Sequence, residues 1–135
     1  MPIRTGPASR RKGLLTTQRL PGTVLANRWG GHDEGMVLEH AVLDVIPGKE
    51  RSFEEAFEEA RGIISASSGF VSLRLERCIE RPCRYLLLVG WERLQDHTEG
   101  FRGSPAYDEW KRLLHHFYEP FPTVEHFETV SETGR

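Results

Sequence analysis

Histidines are the residues of this chain whose chemistry is most useful near neutral pH. Five of the six lie between residues 36 and 130: His40, His97, His115, His116 and His126. The pKa of imidazole is close to neutrality, so such a side chain can act as a general base or orient a substrate hydroxyl. For any one of them, a surface histidine or a hydrogen-bonded core histidine is the competing interpretation.

Two of these histidines follow a glutamate in strand-like sequence, Glu39-His40 in VLEHAVLDVI and Glu125-His126 in TVEHFETV. If the first and last strands are antiparallel neighbours, the two pairs lie opposite each other. His40 and His126 would then polarise a substrate from one face, bind an adventitious metal ion, or form a cross-strand polar pair that faces solvent. The sequence leaves these alternatives open because it does not define the register.

An aromatic segment, HHFYEPFP, begins at His115. His115 and His116 are about 100° apart on a helix, so they cannot easily bind one metal ion from one face. One of them is expected to point inward. We predict that His116 and Tyr118 contact a substrate, with core packing as the alternative for the aromatic residues. The sequence contains no phosphate-binding glycine loop and no HExxH metal motif.

Hydrophobic periodicity predicts the elements that must position these side chains. A strand VLEHAVLDVI is followed by a helix over residues 50–66, and in the next strand, FVSLRLERC, Val71 shares the buried face with Leu73 and Leu75. A third strand, CRYLLLVGW, leads to a short helix over 94–99 and a longer helix capped by Ser104, before a last strand, TVEHFETV. This order predicts an α+β, ferredoxin-like βαββαβ fold with a four-stranded antiparallel sheet.

The predicted fold places both helices on one face of the sheet and leaves the other face open. Aliphatic and aromatic side chains point to both sides of these strands, so the open face would expose an apolar patch that monomers rarely tolerate. We therefore predict a homodimer formed through the open sheet face, since an identical chain is the simplest partner.

Length and composition limit the remaining possibilities. The chain has 135 residues and 38% hydrophobic residues, which suits one domain. No apolar run approaches the roughly 20 residues that span a bilayer, and no secretory signal is evident, so we expect a cytoplasmic protein without membrane contact. A net charge of -2 argues against a nucleic-acid partner.

Charge also divides the chain. Residues 1–35 carry six basic and two acidic side chains and show no sustained hydrophobic period, so we predict a basic, flexible extension. A start of translation at Met36 and a basic arm that binds a partner are both open alternatives. Residues 36–130 then form the domain, and residues 131–135 form a short tail.

The segment LLLVGWERLQDHTEGFRGSPAYDEW, residues 86–110, resembles the signature of the antibiotic biosynthesis monooxygenase family. A strand ends in Trp91-Glu92, a short helix carries His97, and Ser104-Pro105-Ala106-Tyr107 begins the next helix. The opening VLEHAVLDVIPGKE and Gly69-Phe70 also match, so the resemblance covers about residues 36–130.

The resemblance implies a dimeric α+β barrel with a pocket between the sheet and the helices of each subunit. Well-studied members oxidise quinols or polycyclic phenols with dioxygen and use neither metal nor flavin. Trp91 and His97 match positions that line the pocket in such members, whereas Leu87 stands where some carry a pocket Asn. A heme-degrading branch binds heme in the same cavity, and its axial histidine aligns near Trp110 or Lys111.

Together these observations predict a cofactor-independent monooxygenase that oxidises a small aromatic or quinol substrate with dioxygen and needs no metal. We expect His97 to be the catalytic base or orienting group. The expected substrate contacts are Trp91, His40, His116, Tyr118 and His126. The alternative is a non-catalytic, small-ligand-binding or stress-related dimeric barrel, and heme binding is a third hypothesis.

Overall fold

The structure, a computed structural model, describes residues 36–135, so the extension predicted over residues 1–35 lies outside the described part. The strands are β1 (Val37–Asp44), β2 (Phe70–Arg77), β3 (Arg84–Trp91) and β4 (Val124–Phe127). The helices are α1 (Glu50–Ile64) and α2 (Pro105–Leu114), with a π-helical turn Asp96–Phe101 and a 3₁₀ turn His115–Phe117. None of the described helices is long and apolar enough to cross a bilayer.

The four strands form one antiparallel sheet in the order β2-β3-β1-β4. β1 lies between β3 and β4, and Glu39 of β1 is paired with Val89 on one side and His126 on the other. The predicted α+β, ferredoxin-like architecture is confirmed. Because side chains alternate along a strand, Glu39 and His126 point to the same face of the sheet.

The core lies between that face and the two helices. Phe53 of α1 is fully buried and its ring packs 4.9 Å from the ring of Tyr85 on β3. Phe57 contacts Trp110 of α2 at 6.0 Å between ring centroids, which joins the two helices. We call this covered side of the sheet the inner face, and the opposite side the outer face.

The strand β2 differs from the sequence-based expectation at one position. Its register against β3 shifts between Phe70 and Ser72, so Val71 is left in a bulge and is 37% exposed. Phe70 packs against Trp91 instead, at 6.1 Å between ring centroids. The prediction that Val71 is buried was therefore wrong, because a bulge adds one residue and breaks the alternation.

The start of α2 also differs from the expected cap. Ser104 has an extended backbone and precedes Pro105 at the first helical position, as predicted. Its hydroxyl, however, donates to the carbonyl oxygen of Phe101 at 2.7 Å and makes no side-chain cap bond with α2. The serine hence closes the preceding π-helical turn instead of capping the helix that follows.

The turn before β2 requires glycine for two reasons. Gly69 has a φ of +83°, and a Cβ there would lie 2.1 Å from the Oδ2 atom of Asp96. Asp96 is buried and accepts a hydrogen bond from the backbone N–H of Arg93, which holds the start of the π-helical turn. The close contact therefore ties β2 to the turn that carries His97.

We predict that Gly69→Ala lowers the free energy of unfolding by roughly 2 to 4 kcal/mol, since it combines a strained backbone with a steric overlap. The matched control is Gly62→Ala in α1, where nothing lies within 4 Å of an added Cβ. That substitution should stabilise the helix by about 0.5 to 1 kcal/mol. Denaturant unfolding of both variants tests the prediction, and equal effects would contradict it.

Candidate functional site

A buried carboxylate lies on the inner face, near the start of β1. Glu39 is only 5% exposed although it is ionisable, and it shares the inner face with Ala41 and Leu43 of the same strand. Carboxylates are seldom buried without partners because removal from water penalises the charged form. The contacts of Glu39 therefore define the candidate site.

Trp91 provides the hydrogen bond that holds this carboxylate. Its indole Nε1–H donates to Oε1 of Glu39 at 2.9 Å, across two neighbouring strands. Trp91 is fully buried, and its ring stacks on the imidazole of His97 with 5.4 Å between centroids and 16° between planes. One tryptophan thus fixes both the carboxylate and the histidine.

His97 reaches this position from the π-helical turn. The N–H of Arg102 donates to the carbonyl oxygen of His97 at 3.0 Å, the five-residue spacing of a π-turn. The imidazole is 3% exposed and its Nε2 atom lies 3.4 Å from Oε1 of Glu39. Its Nδ1 atom lies 2.8 Å from Nε2 of His126, within hydrogen-bond distance.

Trp91, Glu39, His97 and His126 form what we call the inner-face cluster. Two of its members, Glu39 and His126, are directly paired residues on β1 and β4. The cluster runs in a row, because each ring nitrogen of His97 faces a different partner. Within residues 36–135, no three or more His, Cys, Asp or Glu side chains are arranged to hold a metal ion.

Burial shifts the pKa values of the cluster in opposite directions. Removal from water raises the pKa of Glu39 to about 7, although the Trp91 hydrogen bond and the positive charge of Arg102 partly offset this. Removal from water, with Arg102 and His126, lowers the pKa of His97 to about 3. Since Glu39 is protonated where His97 titrates, it supplies no negative charge that would raise the histidine pKa.

Tyr118 lies beyond the opposite end of β1 from Trp91 and is not a member of the inner-face cluster. It follows the 3₁₀ turn, makes a single antiparallel bridge with Val45 beyond the end of β1, and is 7% exposed. Burial raises the pKa of the Tyr118 hydroxyl, and the charges of Tyr107 and Glu39 add to this effect. The phenol therefore stays protonated and can donate a hydrogen bond at neutral pH.

The structure also leaves His40 and His116 outside the inner-face cluster. His40 lies on the outer face, paired with Glu125, and its ring packs edge-on against Phe127 at 5.4 Å. His116 is exposed, and its ring lies 4.2 Å from the ring of Phe117 with the two planes tilted by 36°, whereas its neighbour His115 is partly buried. Their roles in substrate binding stay predictions.

An open groove of about 910 Å³ lies elsewhere, between α1 and β2. Its floor includes Phe57 and Leu73, and ion pairs surround it, among them Arg77 with Glu54 at 2.9 Å. No member of the inner-face cluster lines this groove. We place the chemistry at the cluster, because buried titratable groups with shifted pKa values are more typical of functional sites than shallow charged grooves.

Comparison with known proteins identifies the family. Residues 36–113 match the antibiotic biosynthesis monooxygenase family. The chain belongs to this family. Membership supports a monooxygenase-like role for the domain and agrees with the resemblance seen in residues 86–110.

Similar proteins extend this assignment. The uncharacterized protein YczJ of Bacillus subtilis is 57% identical over 95 residues, which are 70% of this chain and all of that protein. A structure from Bordetella bronchiseptica, named as a "putative antibiotic biosynthesis monooxygenase", is 36% identical, with a TM-score of 0.70 over 73% of this chain and all of its own.

More distant relatives share the fold. The structure of a variant of SnoaB, a cofactor-independent oxygenase from Streptomyces nogalater, has a TM-score of 0.66 and 16% identity. The match covers 75% of this chain and 99% of that one. At this identity the similarity establishes the common fold alone.

Sequence reasoning missed Glu39 as a member of the site and did not consider Arg102. The strand VLEHAVLDVI alternates apolar residues on both faces, so nothing in it indicated whether Glu39 or His40 points inward. The useful signal was the matching Glu-His pair on the last strand, which correctly suggested that β1 and β4 pair at this point.

We predict that Glu39→Gln removes a pH-dependent loss of stability. The raised pKa favours the protonated carboxyl, so this group weakens the fold as pH rises from about 4.5 through 7. The loss amounts to about 3 kcal/mol in the wild type above that range. Denaturant unfolding at several pH values, with the exposed Glu92→Gln as control, measures it, and parallel curves for all three proteins would contradict it.

Proposed function

We propose that this protein is a cofactor-independent monooxygenase that oxidises a small aromatic phenol or quinol with dioxygen. The observation that carries the proposal is the inner-face cluster, in which a buried carboxylate with a pKa near 7 is held beside Trp91 and His97. Such a reaction needs a group that accepts a hydroxyl proton, and an apolar environment that excludes water.

The reaction balances without another reductant. A hydroquinone and one dioxygen give a hydroxyquinone and one water, with one oxygen atom entering the ring. The substrate supplies all the electrons that reduce dioxygen. The protein must therefore generate the more reducing aryloxide, hold it next to dioxygen, and return protons to the departing oxygen atom.

His97 suits an orienting role in this scheme. Its buried imidazole stacks on Trp91, and both of its nitrogens face protein groups. Because its pKa is lowered to about 3, the ring stays neutral at physiological pH and retains one N–H and one acceptor nitrogen. Trp91 and His126 lie beside it in the inner-face cluster, and they are proposed substrate contacts together with Tyr118.

Oxygen uptake with a panel of hydroquinones tests the proposal. We expect the wild type to consume oxygen and His97→Ala to lower kcat/KM by on the order of 10²-fold, because the remaining groups lose their alignment. The control is Thr98→Ala in the same turn, whose hydroxyl bonds only the carbonyl of Leu94. No uptake by the wild type with any substrate would favour the alternative of a non-catalytic binding protein.

We also propose that the protein acts as a homodimer through the outer face of the sheet. Leu38, Val42 and Leu88 point to this face, and Val42 and Phe127 are 36% and 46% exposed. Neither α1 nor α2 covers these side chains, since both pack on the inner face. Packing against the outer face of a second copy of this chain would remove these side chains from water.

Sedimentation velocity checks the dimer. Val42→Glu should weaken dimerisation at least about 100-fold, because it places an unpaired charge in an apolar interface. Ile79→Glu is the matched control, since Ile79 is 90% exposed in the turn between β2 and β3. A monomeric wild type, or equal effects of the two variants, would contradict the proposal.

A further inference from the structure

We propose that Glu39 is the general base of the inner-face cluster, which takes the hydroxyl proton of a bound phenol or quinol. His97 and His126 are then positioning residues that hold the carboxylate. This inference rests on the proposed function for its substrate class. It assigns the proton acceptor to a residue other than the histidine that sequence analysis favoured.

The hydrogen bonds of Glu39 leave one oxygen available. Trp91 donates to Oε1, and Nε2 of His97 approaches the same atom. Within the part of the chain that the structure describes, Oε2 receives no hydrogen bond and is not enclosed as an unsatisfied buried atom. Oε2 therefore keeps its acceptor capacity, and it is the oxygen that we assign to the substrate hydroxyl.

His97 is poorly placed to accept the proton itself. Its Nδ1 lies 2.8 Å from His126 and its Nε2 faces Glu39, so neither nitrogen is free for a substrate. Protonation of the ring would also create a charge in a site that is 3% exposed. The buried imidazole therefore positions Glu39 and His126 and does not take up the substrate proton.

The row has one arrangement of protons that suits an ionised Glu39. In this arrangement His97 carries its proton on Nε2, the nitrogen that faces the carboxylate. Its Nδ1 accepts a hydrogen bond from the Nε2–H of His126. The two histidines then point their dipoles towards Glu39. This favours the carboxylate and aligns it, without either histidine becoming charged.

Several charged and titratable groups face Glu39 from the elements packed around it. His126 is paired with Glu39 on β4, and His97 approaches the carboxylate from the π-helical turn. Arg102 follows that turn, and Tyr118 follows the 3₁₀ turn. Arg102 is exposed, yet its positive charge lowers the pKa of Glu39. It therefore lowers the pH above which the base is ionised, against the larger and opposite effect of burial.

The proton step is balanced. The O–H bond of the substrate breaks, a bond forms between that hydrogen and Oε2, and the electron pair stays on the substrate oxygen. The resulting aryloxide reduces dioxygen, the oxidant of the proposed reaction. Dioxygen bonds to the ring carbon next to the aryloxide oxygen, and protonated Glu39 gives its proton to the resulting peroxide, which regenerates the carboxylate. The O–O bond then breaks, so one oxygen atom stays on the ring as a carbonyl. The other oxygen leaves as hydroxide and combines with the proton released from the same ring carbon to form water.

The first test measures oxygen uptake against pH. We expect wild-type kcat/KM to rise with pH through a single ionisation near 7, and Glu39→Gln to lower it by on the order of 10³-fold and to abolish this limb. Glutamine keeps the volume of the side chain and an acceptor for Trp91, and circular dichroism confirms folding. In His126→Gln, kcat/KM should be lower but should still rise with pH through the same ionisation. If this rise is lost in His126→Gln and kept in Glu39→Gln, the assignment of Glu39 is overturned.

Arg102→Gln provides a separate prediction. Removal of the positive charge should raise the pKa of Glu39, so the acidic limb should move to higher pH. Arg81→Gln is the charge-matched control, because Arg81 lies in the turn between β2 and β3, at the far end of the sheet from Trp91. A shift towards lower pH, or equal shifts in both variants, would contradict the role of Glu39.

A probe that is not oxidised separates this inference from the proposed function. At about pH 8 both 4-nitrophenol and Glu39 are ionised, and bringing two negative charges together should draw one proton from solution. Calorimetry in buffers of different ionisation enthalpy should detect this uptake in the wild type and not in Glu39→Gln. Equal uptake in both, or no binding to the wild type, would overturn the proton-accepting role whether or not oxygen is consumed.

Discussion

The hydrogen bond between the indole of Trp91 and the carboxyl of Glu39 is the interaction on which the site depends. It crosses from β3 to β1 in the interior of the sheet, where an unpaired carboxyl would be costly. Trp91 can make it because the side chain is fully buried between β2 and the π-helical turn. The same ring provides the surface on which His97 stacks. Packing of one aromatic residue therefore sets the geometry of two polar ones.

The site maintains neutral histidines and a carboxyl that ionises near neutral pH within one small volume. Burial is the main cause of both effects, since it disfavours the charged form of each group. Arg102 acts on Glu39 and His97 in the same direction, lowering both pKa values from the protein surface. An exposed residue can thus adjust the protonation of the interior without entering it.

The architecture that carries the cluster is shared with other proteins of the family. The Bordetella bronchiseptica structure and the distant SnoaB structure share the βαββαβ architecture with this chain. Leu87 lies buried on the inner face, at the position where the resemblance implies a pocket asparagine in some members. The polar groups of the inner-face cluster come from β1, β4, the π-helical turn and, through Trp91, the end of β3.

The sequence by itself determined the order of elements, the antiparallel sheet and the family, because hydrophobic periodicity and the Trp91 to Tyr107 segment are local properties. It also indicated that β1 and β4 pair at their Glu-His sequences. Only the tertiary structure decided that Glu39, and not His40, faces the helices, since a shift of one residue in register exchanges the two faces. The buried position of His97 likewise depends on the π-helical turn, which requires long-range contacts between Asp96 and Gly69 that no local pattern encodes.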